Sequence, residues 1–334
     1  MKHKPLAKIA TTTLTALACG CATTENMVDE DGHFLLQNDN LRIVMPNPTA
    51  DVPYYQGRRF TLPGMVIAAD WQGTPLFTQI GSPRNPLHHD HVGGTAEEFD
   101  INGPAGYEQT PVGGSFMKIG VGFLERESDA NYRFSHLYPI VQKPDNSVRR
   151  IDGQTLRFVQ TLREEDGERG YRLEIKVELR GNGFNLVRSL QNLGRQTLTT
   201  EHYSHNFSLI GRLEVGPGYR VEWQTPVEIA TANTREGTLI ADENTIRFTR
   251  APEGAYYYAS AAGSGLPADE PIRLVQENAG LSLAIASDRP LHRIAIWGRP
   301  DVICPEPFVK LSIEPGETEQ WTTSYTIEPL IGLD

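Results

Sequence analysis

The chain has 334 residues, 39% hydrophobic and 22% charged, with 31 Lys and Arg against 42 Asp and Glu, a formal net charge of −11. That composition can bury a real core without disulfide staples and excludes intrinsic disorder, and no run of 18 apolar residues offers a membrane-spanning helix. The acidic balance argues against a nucleic-acid partner, because neutralising phosphates needs a basic face.

The N-terminus reads as a transport signal. Lys2, Lys4 and Lys8 form a basic stretch with no acid before Glu25, and a weakly apolar run, Ile9 to Ala18, follows. Residues 1–20 therefore have the layout of a secretory signal peptide. Its end, Leu17-Ala18-Cys19-Gly20-Cys21, resembles a bacterial lipobox, in which a small residue precedes the Cys that is lipidated. Cys21, or else Cys19, is the expected lipidation site, and a plain cleaved signal is the alternative. Residues 21–34 are a polar tether, suited to holding a domain off a membrane by one acyl anchor. The expectation is an exported protein, a periplasmic or outer-membrane lipoprotein, touching the membrane through its anchor only. Cys304 is the one cysteine beyond this region, so the folded part has no pair for an internal disulfide.

From residue 35 to 334 the pattern is that of strands in one large domain. Short β-rich runs recur at 41–45, 65–69, 116–122, 155–162, 220–224, 246–250, 281–287, 293–297, 308–313 and 320–327. The clearest is Tyr171 to Arg180, where Tyr171, Leu173, Ile175, Val177 and Leu179 share one face. Gly181-Asn182-Gly183 then turns the chain into a partner strand, 184–190. No window carries a capped apolar stripe of period 3.6, so a doubly wound α/β fold is disfavoured, and no repeat of 20–50 residues suggests a propeller. The fold class expected is all-β, a large antiparallel β-sandwich.

Two long stretches break the rhythm, 79–115 and 251–272, and both read as functional loops or rims. The first carries His88-His89-Asp90-His91, then Gly93-Gly94 and Glu97-Glu98. His and carboxylate at that density suit a divalent ion. Neighbours one and two apart seldom all point inward, however, and no distant His-x-x-x-His partner exists, so no metal is expected. A polar binding loop and a solvated loop without a role remain.

Two later segments hold candidate acid–base groups. In Thr200-Glu201-His202-Tyr203-Ser204-His205-Asn206-Phe207, a strand would put His202 and His205 on opposite faces, so at most one lines a given pocket. In Ile303-Cys304-Pro305-Glu306-Pro307-Phe308, proline on both sides of Glu306 is poor for a central ladder and points to irregular backbone. A carboxylate in such apolar company is desolvated, which raises its pKa toward neutrality. No Gly-x-Ser-x-Gly elbow, P-loop or Rossmann glycine pattern is present, so no nucleotide cofactor is indicated.

Taken together, four segments resemble the galactose mutarotase-like superfamily, the aldose 1-epimerases and their relatives: Gly57 to Val66, Asn192 through His205 and Phe207, Ile303 to Pro307, and Leu311 to Trp321. The resemblance runs from about residue 35 to 330. It implies a supersandwich with a monosaccharide or oligosaccharide bound in a groove on one sheet, and anomer interconversion without metal or organic cofactor. It further implies Glu306 as base, His205 as acid, and His91, Arg59, His89 and His202 as candidate substrate contacts. The chain departs from the family at His205-Asn206-Phe207-Ser208, where His-x-Tyr-Phe is the pattern, and in the early loop, which lacks Leu-His-Gly-Gly. Two other readings stay open. One is a non-catalytic carbohydrate-binding lipoprotein in which Tyr54, Tyr55, Trp71 and Tyr256 to Tyr258 stack on sugars. The other is a polysaccharide lyase or glycoside-cleaving enzyme of the same fold type.

Overall fold

A computed structural model describes residues 29, 31–80, 85–233 and 238–330. The signal segment, Cys19, Cys21 and most of the tether lie outside the described residues. Among those described, strands dominate, and the helical elements are two 3-10 turns, Ile210–Arg212 and Glu277–Ala279.

Two large sheets carry the molecule. The first has ten strands, and at its centre the meander Thr155–Arg163, Gly170–Arg180 and Gly183–Asn192 continues into Thr318–Pro329 and Leu281–Ser287. The alternation of Tyr171 to Leu179 appears directly as burial: the odd-numbered apolar residues are buried, while Arg172, Glu174, Lys176 and Glu178 are only partly covered. Period two thus gives one face to the core and one to water. The turn at Gly181-Asn182 closes the Arg180–Gly183 pair.

The second sheet has eight strands and holds the candidate site. Its path runs Ile229–Asn233, Tyr256–Ser260, Arg293–Arg299, Val302–Ile313, Leu198–Phe207, Val92–Phe99 and Thr61–Val66, with Gln79–Ile80 paired beside Val92–Phe99. Among the described residues, every strand pairing in both sheets is antiparallel. The core between the sheets includes Trp321, Tyr171, Tyr325, Phe158 and Phe184, with Phe184 stacked on Tyr325 at 4.5 Å.

Three expectations need correction. Val92–Phe99 lies inside the stretch read as a long loop, yet it is a strand buried along its whole length. A strand covered on both faces shows no apolar–polar alternation, and its Gly93-Gly94 and Glu97-Glu98 pairs look like loop composition. Tyr256–Ser260 is likewise a strand within the segment read as irregular. Finally, Pro305 and Pro307 do not interrupt their segment: Val302–Ile313 is one strand of 12 residues with a neighbour on each side.

Gly94 shapes the sheet beside the site. Its φ is +65°, and a Cβ there would lie 1.7 Å from the Val66 carbonyl oxygen. Only glycine tolerates both the left-handed backbone and so close an approach. The register between Thr61–Val66 and Val92–Phe99 shifts across this point, from Thr61 opposite Glu97 to Val66 opposite Thr95. The bulge bends the Thr61–Val66 strand, and the Arg58-Arg59-Phe60 segment leads into it.

Candidate functional site

The site begins with a register. Leu198–Phe207 and Val302–Ile313 pair from Leu198 opposite Ile313 to Tyr203 opposite Phe308, and an isolated bridge joins Ser208 to Ile303 in the same register. That register sets His205 across from Glu306. Their side chains meet, His205 Nε2 lying 3.2 Å from Glu306 Oε1, and both are almost completely buried. Neighbouring rings wall the imidazole: Phe207 is stacked at 4.1 Å, Trp297 lies at 5.6 Å and Phe60 at 5.9 Å.

Burial dominates the charge state of both groups. Desolvation raises Glu306 to about 8, with Glu98 adding to the rise and Arg59 and Arg293 opposing it. Desolvation also drives His205 well below its usual 6.5; Arg59 pushes the same way, and Asp90 opposes. Near neutrality the pair therefore holds one proton, resting on Glu306, with a neutral imidazole beside it. Such a pair titrates as a unit.

Arg59 forms the adjacent wall. Its Nε donates to Glu98 Oε2 at 2.8 Å, Nη1 to Asp90 Oδ1 at 2.6 Å and Nη2 to the Tyr203 hydroxyl at 2.9 Å. The guanidinium lies between the Phe60 and Phe134 rings, 4.4 and 4.3 Å from their centroids. Lys118, fully buried, donates to Glu98 Oε1 at 3.2 Å, and Tyr203 donates to Glu98 Oε2 at 2.5 Å. Glu98 thus serves as the shared counter-ion of two buried cations. Burial works against ionising Asp90, but the hydrogen bond from His89 and the Arg59 charge outweigh it, so its carboxyl sits below the ordinary carboxylate range.

A cavity of about 350 Å³ opens over the pair. Its walls include His205, Glu306, Arg59, Asp90 and His89, with Trp297, Tyr257 and Phe134 as aromatic surfaces. A larger cavity of about 450 Å³ lies between the Pro48–Pro63 turns and the Lys143–Asn146 segment, but no histidine lines it. We place the chemistry in the smaller one, where acid and base converge.

Sequence-derived candidates divide as follows. Glu306, His205, Arg59 and His89 line the cavity together. His91 does not line it; its ring packs on Tyr54 at 5.6 Å. His202 faces the opposite way, into the core between the sheets, 3.5 Å from Glu97 and bonded by the Trp321 indole at 3.2 Å. This is the strand alternation that set His202 and His205 on opposite faces, so His202 is not a cavity residue. Tyr55 and Trp71 pack in the interior. His88, His89, Asp90 and His91 do not converge as metal ligands; among the described residues the one grouping of metal-binding type is Asp29, Asp31 and His33. That group lies outside this cavity.

Sequence reasoning missed Phe134, Trp297, Arg293 and Asn102. Arg293 reads as an ordinary strand-end charge, yet its guanidinium lies 3.4 Å over the Phe308 ring while its nitrogens bond Glu201. Nothing local distinguishes it from other strand arginines.

No family model matches the chain, and no curated protein matches its sequence. Solved structures do. A candidate aldose 1-epimerase of Escherichia coli K12 superposes with a TM-score of 0.56 at 16% identity, covering 89% of this chain and 99% of that one. A galactose mutarotase-like protein of Lactobacillus casei ATCC 334 gives 0.55 at 12% identity, covering 89% and 100%. A galactose mutarotase-like protein of Clostridium acetobutylicum gives 0.55 at 12%, covering 89% and 95%. Likeness at this identity speaks to architecture, and the chain has the fold of the galactose mutarotase-like proteins.

Proposed function

We propose that the chain is an aldose 1-epimerase-like isomerase that interconverts sugar anomers in the cavity of His205 and Glu306. The observation that carries this reading is the contact of the His205 imidazole with the Glu306 carboxyl group, both buried, at a cavity walled in part by aromatic rings. Anomer exchange needs one acid and one base at the same sugar edge. A proton passes from the pair to the ring oxygen while the pair takes the C1 hydroxyl proton. The bond from C1 to the ring oxygen breaks and the carbonyl forms. After rotation about C1–C2 the steps reverse. The pair ends with the one proton it began with, and either partner can hold it at the start. The resemblance assigns Glu306 as base and His205 as acid; burial of the carboxyl starts the proton on Glu306. Both arrangements contain the same number of protons and are one macroscopic state.

Around the reacting edge, Arg59, Asp90, His89 and Asn102 offer groups for sugar hydroxyls, and Trp297, Tyr257 and Phe134 offer faces for its apolar side. The cavity volume suits a single pyranose better than a buried polysaccharide. Those rings would serve a protein that only binds sugar equally well, so turnover is the deciding observation. Optical rotation of freshly dissolved α-glucose and α-galactose, followed with enzyme, provides it. Glu306→Gln and His205→Ala should each slow the enzymatic rate at least about 100-fold, with the thermal midpoint little changed. Full activity in either variant would rule out the assignment.

We also propose that the protein is exported and acylated at Cys21 or Cys19. Palmitate labelling of the expressed chain should be lost when both are changed to Ser. Labelling that survives the double change would reject acylation at these cysteines.

A further inference from the structure

We infer that Asn206 is a positioning residue that holds His205 and Glu306 together across a break in the sheet ladder; this rests on the acid–base reading of that pair. Ile303 and Ser208 exchange both backbone hydrogen bonds, each at 3.0 Å. Amide directions alternate along a strand, so the backbone nitrogens of residues 305 and 307 face the same neighbouring strand as that of Ile303. Both residues are proline and bring no N–H. The ladder therefore lacks one donor opposite Asn206 and one opposite Ser204, the positions flanking His205. The paired register stops at Tyr203–Phe308 and resumes at Ser208–Ile303, with the acid–base pair inside the gap.

Side chains make up the loss. Asn206 Nδ2 donates to the Ser204 carbonyl at 3.1 Å, taking the place of the absent Pro307 donor, and to the Pro305 carbonyl at 2.8 Å across the gap. Ser208 Oγ donates to the Asn206 carbonyl at 3.2 Å, in place of the absent Pro305 donor. Asn206 Oδ1 accepts from the Tyr325 hydroxyl at 2.8 Å, and Tyr325 belongs to the opposite sheet. One donor at the oxygen and two acceptors at the nitrogen fix the orientation of the amide. The side chain is fully buried and bridges three strands from two sheets. It does not line the cavity, so its effect on the pair passes through the backbone on either side of it. Asn206 is thus the tie that lets a proline-flanked glutamate occupy a central strand.

The experiment compares wild type with Asn206→Ala, Pro307→Ala, Asn206→Ala/Pro307→Ala and Tyr325→Phe. Two readouts are taken: kcat and KM for anomer exchange, and the pH titration of the His205 ring by NMR. The second needs no turnover and so separates this inference from the isomerase reading. Asn206→Ala should lower kcat about tenfold or more with KM within about twofold, and should move the His205 titration upward toward 6.5 as the pair opens. Pro307→Ala returns an N–H opposite the Ser204 carbonyl, so the double variant should recover at least about threefold of the lost kcat. Tyr325→Phe leaves both Nδ2 donations in place and should stay within about twofold of wild type. If Asn206→Ala does not fold, Asn206→Ser, with its shorter side chain and no second donor, takes its place, and a wild-type His205 titration in that variant would overturn the inference. An Asn206→Ala protein with the wild-type His205 titration would overturn it as well. So would a double variant that regains thermal stability but neither kcat nor the titration.

Discussion

Glu306 is a buried carboxyl whose partners do not offset its burial. Its folded-state pKa of about 8 lies above the ordinary glutamate value of 4.5. The folded protein therefore binds more protons than the unfolded chain between those two values, and its stability falls as pH rises across that window. For His205 the folded pKa lies below 6.5; there the unfolded chain binds the extra proton, and stability is lost as pH falls below 6.5. Glu306→Gln removes the first dependence while keeping the shape. Its thermal midpoint should overtake that of wild type above about pH 8, and its decline from pH 5 to 9 should be clearly shallower. Parallel curves for the two proteins would show that Glu306 is ionised in the folded state. The sequence pointed to this carboxyl through its apolar neighbours Cys304 and Phe308. It could not show Arg293 or Phe134, whose roles come from strands and turns distant in the chain.

Among the elements, the strand Val92–Phe99 links the core between the sheets to the cavity wall. Its alternation sends Glu97 into the core between the sheets, where Arg188 Nε donates to both carboxylate oxygens at 2.8 and 2.9 Å. Glu98, the next residue, meets Arg59 and Lys118 on the cavity side. One strand thus neutralises charge on both of its faces. The same property hid it from sequence reading: paired acids and paired glycines look solvated until the arginines from elsewhere are in place. By contrast, the meander from Thr155 to Asn192 was legible, because one wet face prints period two into the sequence. Proline misled in the opposite direction. The rule against proline in central strands assumes a missing donor goes unreplaced, and here side chains replace it. Gly94 fixes how this strand meets Thr61–Val66. Gly94→Ala forces an L-residue into a left-handed backbone with its Cβ against the Val66 carbonyl, and should destabilise by more than about 2 kcal/mol. Chemical denaturation would read this, and a change under 0.5 kcal/mol would refute the tight approach.

Over the whole molecule, the two sheets bury a mostly aromatic and aliphatic core with a polar seam through it. Arg188, fully buried, also reaches Thr323 Oγ1 at 3.0 Å and the Leu186 carbonyl at 3.0 Å. The seam continues through Ser204, His202 and Trp321. Burial works against Glu97, but Arg188 and then His202 outweigh it and hold its carboxyl down at about 2. A buried pair of this kind adds little net stability but is costly to break, and it ties the strand behind the cavity to the opposite sheet. The all-β class was legible from turn spacing and alternation. The candidate pair was legible only with the help of a family resemblance, since His205 and Glu306 are about a hundred residues apart and nothing local joins them. In the proposed reaction the pair works while holding one proton. Anomer exchange at equilibrium, followed by selective-inversion proton NMR from pH 5 to 10, measures this directly. The expected rate is level between about pH 6.5 and 8, falls above about 8 as that proton is lost, and vanishes in Glu306→Gln. A rate that keeps rising beyond pH 9, or one that Glu306→Gln retains, would contradict it.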